Sequence, residues 1–312
     1  MRVGFAILSY DEPAQLLRLT LTLSRTYSDP CIVVHHNFSQ CALDTEGFPA
    51  NVVFVRPHLD TGWGSLETVR AALSAIDLVR TTADPDWTFL LSGRDYPVMP
   101  GDKACALLAA RRTDALLVHQ SIDLPLPRHA PRPSVGGFHD GAWARLAYDR
   151  YVTEDVQVPL LSWKRPRWHG LPIKRRRIRI RSRPVTWIIR HVRTPVIGRR
   201  FLWTVYGGDF WLAVNRVAAT RLAAVAPRVM RALGNRPIPE EVVLHTVLGN
   251  SGLELGQDGN RRYSDWSAGG SHPKWLTEQD LDAIGASGAM FARKFRNDDG
   301  VLDLVDRRLL RF

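Results

Sequence analysis

Short apolar runs alternate with stretches of helical periodicity in the first third of the chain. Four runs are typical of buried strands: 2–9, 31–36, 52–55 and 87–91. From 16 to 23 and again from 65 to 79, apolar residues recur as they do on one face of a helix. Strands that alternate with helices predict an α/β fold with a doubly wound, mostly parallel sheet.

The polar residues that follow these predicted strands are candidates for binding. Ligands of open α/β sheets bind at the carboxyl ends of the strands. Asp11, His35 and Asp95 fall at three such ends, and Ser9 closes the first strand. We therefore expect these four side chains to lie at one edge of the sheet.

The alternation stops after residue 121. Prolines recur between 125 and 133, and a run of arginines follows at 174–181. Beyond 205 the pattern predicts a strand at 210–214 and helices at 218–233 and 240–248. We predict three parts, which are an α/β half at 1–121, a Pro- and Arg-rich insertion at 122–205 and a second half at 206–312.

Composition narrows the class of protein. Of the 312 residues, 45% are hydrophobic, which is ordinary for a globular chain. No window approaches the ~18 uninterrupted apolar residues that a membrane span needs. Three cysteines, an odd number without a CxxC pair, argue against a disulfide framework and favour a reducing compartment. We expect a cytoplasmic protein.

The formal net charge is +11, and much of the excess lies between 163 and 200, where tryptophans interleave with arginines. Such a segment is compatible with an anionic membrane surface, with nucleic acid or with a solvated arm. No nucleic-acid fold signature accompanies it. We therefore favour peripheral attachment to the inner face of a membrane or contact with an anionic glycan, and we expect no nucleic-acid partner.

Two adjacent glutamates, Glu240 and Glu241, follow Pro239 at the start of a predicted helix. A carboxylate can take the proton of a hydroxyl as that hydroxyl attacks the anomeric carbon of a sugar. The alternative is structural, because glutamates at a helix N-terminus complement the helix macrodipole.

Several motifs occur in the order found in one known family. They are Ser9-Tyr10-Asp11-Glu12, Gly62-Trp63-Gly64-Ser65, Ser92-Gly93-Arg94-Asp95, Pro239-Glu240-Glu241, Tyr263-Ser264-Asp265-Trp266 and Phe291-Ala292-Arg293-Lys294-Phe295. With them the chain resembles the core-2/I-branching β-1,6-N-acetylglucosaminyltransferases and the related peptide O-xylosyltransferases, as a bacterial-type member. The resemblance covers roughly residues 3–120 and 204–296.

The resemblance implies an A-type nucleotide-sugar transferase fold and assigns roles to the acidic and basic motifs. Aligned on Thr246, the family's catalytic base falls on Glu241, and Glu240 takes the place of the preceding acid. The diphosphate-binding lysine maps to Lys294, next to Arg293. The structural alternative for that pair is a solvated helix end, although the flanking phenylalanines indicate a segment held against a core.

Further donor contacts are implied less directly. Lys274 or His272 takes the place of a second cation, and the four residues at the strand ends, Ser9, Asp11, His35 and Asp95, would surround the nucleotide.

The acceptor side is implied by aromatic residues, whose rings can stack on the apolar face of a sugar. Trp266 aligns with a tryptophan at the acceptor side of the family. Asp209 and Trp211 lie in a Gly-Gly-Asp-Phe-Trp segment that resembles the family's pocket-lining strand, and Trp63 is a further candidate. The alternative for each tryptophan is a place in the core, since the chain has ten.

A metal cofactor is not expected. Many A-type transferases hold a divalent metal with Asp-x-Asp after a strand, but here the strand at 87–91 is followed by a single acid, Asp95. Cations can neutralise a departing diphosphate instead.

Together these features predict an inverting, metal-independent glycosyltransferase. UDP-GlcNAc is the expected donor and UDP-xylose the alternative. The acceptor is a hydroxyl of a glycan, a lipid-linked glycan or a secondary metabolite. A hypothesis of another class is a nonenzymatic protein that uses the same fold to bind an anionic polymer or membrane surface.

Overall fold

The computed structural model describes residues 1–122, 143, 147, 150–151, 204–256, 258–267, 272–297 and 300–311. Most of the predicted insertion, including the basic segment at 163–200, lies outside the described residues.

Twelve strands and seven α-helices make up this part of the chain. The strands are β1 Val3–Ser9, β2 Cys31–His36, β3 Val52–Phe54, β4 Trp87–Ser92, β5 Asp95–Pro97, β6 Ala115–Leu116, β7 His119–Ser121, β8 Tyr206–Gly208, β9 Ala213–Asn215, β10 Leu255–Gly256, β11 Arg262–Ser264 and β12 Phe291–Arg293. The helices are α1 Pro13–Thr26, α2 Leu66–Ala83, α3 Gly101–Ala109, α4 Arg216–Leu233, α5 Val243–Gly249, α6 Leu281–Ala286 and α7 Val301–Val305.

Seven strands form the central sheet in the order β3-β2-β1-β4-β9-β6-β10. All of its pairings are parallel except those of β9, which runs antiparallel to both β4 and β6. The expected α/β class with a mostly parallel sheet is therefore confirmed. The sheet takes strands from both sides of the predicted insertion, so residues 1–121 and 206–312 share one layer.

Alternation along the central strands explains why helices cover both faces of the sheet. Phe5 and Ile7 of β1 point into one buried cluster, and Ala6 points into the other. The first cluster also holds the leucines of α1, and the second holds apolar residues of α2 and α4. Because a strand exposes successive side chains to opposite faces, both faces must be covered, which is the doubly wound arrangement.

A second, three-stranded sheet has the order β11-β12-β5. The segment around Arg293 and Lys294 therefore begins as strand β12 and is not a helix end, which corrects the structural alternative considered above. Phe291 and Phe295 on either side are 1% and 0% exposed. The expectation that these phenylalanines hold the segment against a core is confirmed.

The predicted insertion leaves and returns on neighbouring strands. His119 of β7 pairs with Gly208 of β8 in an antiparallel ladder. The ladder holds the two ends of the segment from 122 to 205 together at the site described next. Within the described part of the chain, no helix is long and apolar enough to cross a membrane.

Candidate functional site

A buried aspartate begins strand β5, directly after the two-residue turn that ends β4. Asp95 is 0% exposed, and its Oδ2 accepts a hydrogen bond from the backbone N–H of Ser92 at 2.7 Å. Two guanidinium groups face the same carboxylate, Arg262 at 3.2 Å and Arg293 at 3.5 Å. The charge of Asp95 is thus already balanced by arginines.

Trp211 lies against both of these arginines. The guanidinium carbon of Arg293 is 4.7 Å from the Trp211 ring centroid, and that of Arg262 is 5.6 Å away. Arg262 also donates to the backbone carbonyl of Leu90 at 3.0 Å, which fixes it under the end of β4. Burial lowers the pKa of Arg262, and Asp95 opposes that effect.

Asp209 interacts with the charges of the same two arginines. Asn260 donates to its Oδ2 at 2.8 Å, and the charges of Arg262 and Arg293 favour its ionised form. Burial is the larger effect and raises the pKa of Asp209. Asp209 in turn raises the pKa of Glu241, so the two carboxylates are electrostatic neighbours.

The glutamates Glu240 and Glu241 lie on a 3-10 turn, Pro239–Glu241, that precedes α5. The prediction of a continuous helix from 240 is therefore wrong, because Val242 adopts a non-helical conformation between the turn and the helix. Neither glutamate caps α5. Burial raises the pKa of both carboxyl groups.

Each glutamate has its own hydrogen-bond partners. Oε1 of Glu240 accepts from the backbone N–H of Gly64 at 2.8 Å, whereas its buried Oε2 has no hydrogen-bond partner. Oε2 of Glu241 accepts from Arg150 at 2.9 Å and lies 3.1 Å from the hydroxyl of Tyr151. Arg150 and Tyr151 belong to the predicted insertion, which therefore reaches the candidate base.

Sequence reasoning missed these two residues. They lie some ninety positions before Glu241, at separations of 91 and 90 residues. An Arg-Tyr pair in a Pro-rich region has no local signature that ties it to a distant carboxylate.

A second cluster gathers cations around one indole. Lys294 Nζ lies 4.3 Å from the Trp275 ring centroid, Arg296 lies at 4.8 Å and Arg94 at 5.1 Å. Burial lowers the pKa of Lys294, and the charges of Arg293, Arg94 and Arg296 lower it further. The cluster therefore repels positive charge and favours an anion.

A pocket of about 240 Å³ opens at this cation cluster, which consists of Arg94, Lys294 and Arg296 around Trp275. Its lining residues are Glu12, Arg94, Trp275, Arg296 and Asn297. Asp11, at the carboxyl end of β1, pairs with Arg94 at 2.7 Å, and Glu12 lies 3.5 Å from the same guanidinium. Among the described residues, neither Lys294 nor Arg296 forms an ion pair with a carboxylate.

Lys274 is placed differently from the other predicted cations. Its Nζ lies 2.8 Å from both Asp265 and Asp280, which balance its charge and raise its pKa. His272, the alternative to Lys274, feels the charges of Lys294 and Arg293, although burial is the first cause of its lowered pKa. The charge of Lys294 therefore acts on His272, whereas Lys274 is balanced by two aspartates.

The remaining predicted nucleotide contacts are buried at the ends of β1 and β2. Nε2 of His35 accepts from the backbone N–H of Leu59 at 2.9 Å, so this ring holds the loop after β3. The hydroxyl of Ser9 lies 3.1 Å from Nδ1 of His36, whose Nε2 is 2.8 Å from the carbonyl of Cys41. The side chains of Ser9 and His35 therefore hold neighbouring parts of the chain at this edge of the sheet.

Two predicted acceptor residues lie apart from this buried network. Trp63 is 74% exposed, on the loop whose Gly64 binds Glu240, so it is an accessible ring near the glutamates. Trp266 is half-buried after β11, beside the Asp265 that pairs with Lys274. Trp63 is the more exposed of the two rings, and its loop contacts one of the two glutamates.

No protein-family model matches the chain, and a search of curated proteins finds no significant match. Function is therefore inferred from the side chains themselves. Within the described ranges, no three histidine, cysteine, aspartate or glutamate side chains group as they would around a metal ion.

The two groups of charges suit two different tasks. Buried carboxylates with raised pKa values are suited to take up a proton near neutral pH. Cations crowded around an aromatic ring are suited to hold a phosphate or another anion. Arg293 joins the two groups, because it contacts Asp95 and Trp211 and its charge reaches Asp209 and Lys294.

Proposed function

We propose that this protein is an inverting glycosyltransferase that moves a sugar from a UDP-sugar to an acceptor hydroxyl. One observation carries the proposal. Arg293 connects two groups of charges: its charge acts on Asp209, the electrostatic neighbour of Glu241 with its raised pKa, and also on Lys294, which has no carboxylate partner among the described residues. Transfer from a nucleotide sugar needs a base on one side of the reacting carbon and counter-charge for a diphosphate on the other.

In this proposal Glu241 takes the proton of the acceptor hydroxyl. The hydroxyl oxygen forms a bond to the anomeric carbon as the bond to the diphosphate breaks on the opposite face, which inverts the configuration. Lys294 and Arg293 neutralise the charge that the diphosphate gains. Glu240 fixes the Gly64 loop, and with it the position of Trp63, beside the reacting groups.

We further propose that the reaction needs no metal ion. The acid that would hold the ion is Asp95, whose carboxylate is already engaged by Arg262, Arg293 and the N–H of Ser92. A metal ion at this point would have to displace two guanidinium groups.

UDP-GlcNAc is the proposed donor, with UDP-xylose as the alternative, and the mixed sheet with covered faces is compatible with the A-type transferase fold. The acceptor would be a glycan, a lipid-linked glycan or a secondary metabolite. Peripheral binding to an anionic membrane through 163–200 stays a prediction, because that segment lies outside the described residues.

A thermal-shift titration tests the donor. UDP, UDP-GlcNAc, UDP-xylose and GDP-mannose are each added with EDTA and, separately, with Mn²⁺. A ligand that binds only the native state raises the melting temperature. We expect a UDP-sugar to stabilise the protein in EDTA. Stabilisation that requires Mn²⁺ would contradict metal independence, and no response to any nucleotide would contradict the proposed donor class.

The cation cluster also favours a second candidate function, a nonenzymatic protein that binds an anionic polymer. Such a protein would be stabilised by a polyanion such as heparin more than by any UDP-sugar. Replacement of Glu241 would also leave its binding unchanged, because a protein that only binds a polyanion does not need a buried, ionisable carboxyl group.

A further inference from the structure

Two side chains of the predicted insertion hold the carboxylate of Glu241. Arg150 donates to Oε2 at 2.9 Å, and the hydroxyl of Tyr151 lies 3.1 Å from the same oxygen. Arg150 also donates to the Tyr151 hydroxyl at 3.2 Å, so the three groups form a closed triangle. The Glu241 side chain is 16% exposed, and the Arg150 side chain is 26% exposed.

The hydroxyl of Tyr151 has two acceptors within reach but only one hydrogen. It lies 2.8 Å from the backbone carbonyl of Ile238 and 3.1 Å from Glu241. Tyr151 is 1% exposed, so its ring cannot leave this place without exposing a large apolar surface. The hydroxyl hydrogen can therefore turn between two fixed oxygens.

We propose that Arg150 and Tyr151 are positioning residues that orient Glu241 and stabilise both of its protonation states during proton transfer. This inference rests on the proposed role of Glu241 as the base. It makes the insertion part of the catalytic half of the molecule, through a contact that the motifs of the sequence do not contain.

The hydrogen atoms balance without an added proton. While Glu241 is ionised, Tyr151 donates its O–H to Oε2. When Glu241 takes the proton of the acceptor hydroxyl, one acceptor O–H bond breaks and one Glu241 O–H bond forms. The Tyr151 hydrogen then turns to the carbonyl of Ile238, and its oxygen can accept the new O–H of Glu241.

The charges that face Glu241 act in opposite directions on its pKa. Burial is the largest effect and raises the pKa, and the charge of Asp209 raises it further. Arg150 lowers it through its charge, while Tyr151 and Trp143 lower it through hydrogen bonds. Glu240, the adjacent carboxylate, is itself coupled to Glu241 and to Arg150. Loss of Arg150 must therefore raise the pKa of Glu241.

A stability cycle on the full chain tests the contact without donor or acceptor. Melting temperatures are measured from pH 5 to 9 for the wild type, Glu241→Gln, Arg150→Gln and the double variant. Because the pKa of Glu241 is raised in the folded state, the protein with Glu241 becomes less stable relative to the Glu241→Gln variant as pH rises. This difference in stability levels off above the folded-state pKa. We expect the levelling point to move up by about one pH unit when Arg150 is replaced by glutamine.

Matched variants separate positioning from general damage. Arg150→Lys keeps the charge and should keep the wild-type levelling point. Arg70→Gln removes an exposed arginine that pairs with Glu67 on α2, and it should leave the cycle unchanged. If Arg150→Gln does not fold, Tyr151→Phe replaces it, with an expected shift in the same direction but smaller. An unchanged levelling point in the folded variant would overturn the inference.

The pH profile of UDP release from UDP-GlcNAc provides the second readout. A base works when ionised, so Arg150→Gln should lose most activity at low pH and recover toward wild type at high pH. An equal loss at every pH would indicate a merely structural role and overturn the inference. Full activity of Glu241→Gln, in contrast, would overturn the proposed function and leave the contact measured by the stability cycle in place.

Discussion

The candidate site has a carboxylate side, Glu240 and Glu241, and a cation side, Lys294 and Arg296, and the two differ in how their charges are compensated. Glu240 and Glu241 are buried, and other parts of the chain supply donors to them, from a backbone N–H of the Gly64 loop to Arg150 of the insertion. Lys294 is half-buried and Arg296 is exposed. Among the described residues, both lie against the ring of Trp275 and neither pairs with a carboxylate.

The difference indicates which charged groups have their partners before a ligand binds and which do not. A carboxylate that already has its donors is preorganised and changes little when substrate arrives. Lys294 and Arg296, which have no carboxylate partner among the described residues, repel each other until an anion binds. Under the proposed function, the protein would therefore fix its base in advance and leave its anion site to be completed by the ligand.

The largest expected effect is the loss of transfer activity in Glu241→Gln, which changes the carboxylate side alone. Glutamine keeps the shape of the side chain but cannot take a proton, so transfer should fall by roughly 10²–10⁴-fold. Stabilisation by UDP should be retained, since the cations are intact. Release of UDP from UDP-GlcNAc measures turnover, with Glu67→Gln on α2 as the matched control. Turnover at the wild-type rate would rule Glu241 out as the base.

Lys294→Met tests the other side. It removes one of three cations around Trp275, and a hydrogen bond to a charged group contributes about 1.5–3 kcal/mol. The Kd for UDP, measured by calorimetry in EDTA, should therefore rise roughly 10- to 100-fold. Lys103→Met, at an exposed position of α3, should leave it unchanged. Equal effects of the two variants would show that only overall charge matters.

Gly207→Ala tests how rigidly the carboxylate side is packed. A Cβ at this glycine would lie 3.0 Å from the backbone oxygen of Glu241 and 3.0 Å from the Trp143 ring. Overpacking of this kind typically costs about 1–3 kcal/mol, which urea unfolding would measure. Gly62→Ala is the matched control, because a Cβ there meets no atom within 4 Å. A neutral Gly207→Ala would mean that the Glu241 backbone is free to move.

The smallest expected effect is the pH dependence of stability that Glu240 brings. Burial raises its pKa in the folded state, so its contribution is full below the unfolded pKa and declines as pH rises through the folded one. Glu240→Gln should therefore gain stability relative to wild type as pH rises, by roughly 1.4 kcal/mol per unit of pKa difference. Melting curves across pH, with exposed Glu46→Gln as control, measure this. A constant difference would mean that Glu240 is not desolvated in solution.

The sequence predicts the long elements of the fold well, and the reason is physical. Strands β1, β2 and β4 are six or seven residues long and buried, so their apolar runs stand out. Strands of two or three residues, such as β11 and β12, are too short to show a period. The sequence does not predict the second sheet for this reason, and it leaves a helix end open as the structural alternative for the basic strand β12.

For the candidate site, the sequence predicts which strand ends carry polar residues but not which charges meet. The position of Asp95 is predicted by the end of the apolar run of β4. Its partner Arg262 lies on β11, a strand that the sequence pattern does not predict. Arg296 directly follows the Phe-Ala-Arg-Lys-Phe motif, and Trp275 adjoins Lys274, so a closer count of cations and aromatics would have found both. The pairing of Lys274 with two aspartates depends on loop geometry that sequence alone does not contain.

The antiparallel strand β9 has a consequence for how the chain is made. Its residues 213–215 pair with one edge of β4, and the backbone N–H of Leu90 in β4 also donates a hydrogen bond to the carbonyl of Leu212. A ribosome delivers β4 more than a hundred residues before this partner. Until β9 is made, β4, whose six residues are all buried in the folded protein, has an unpaired edge, which is a template for association with other chains. We therefore expect a fragment that stops at residue 121 to aggregate when expressed alone.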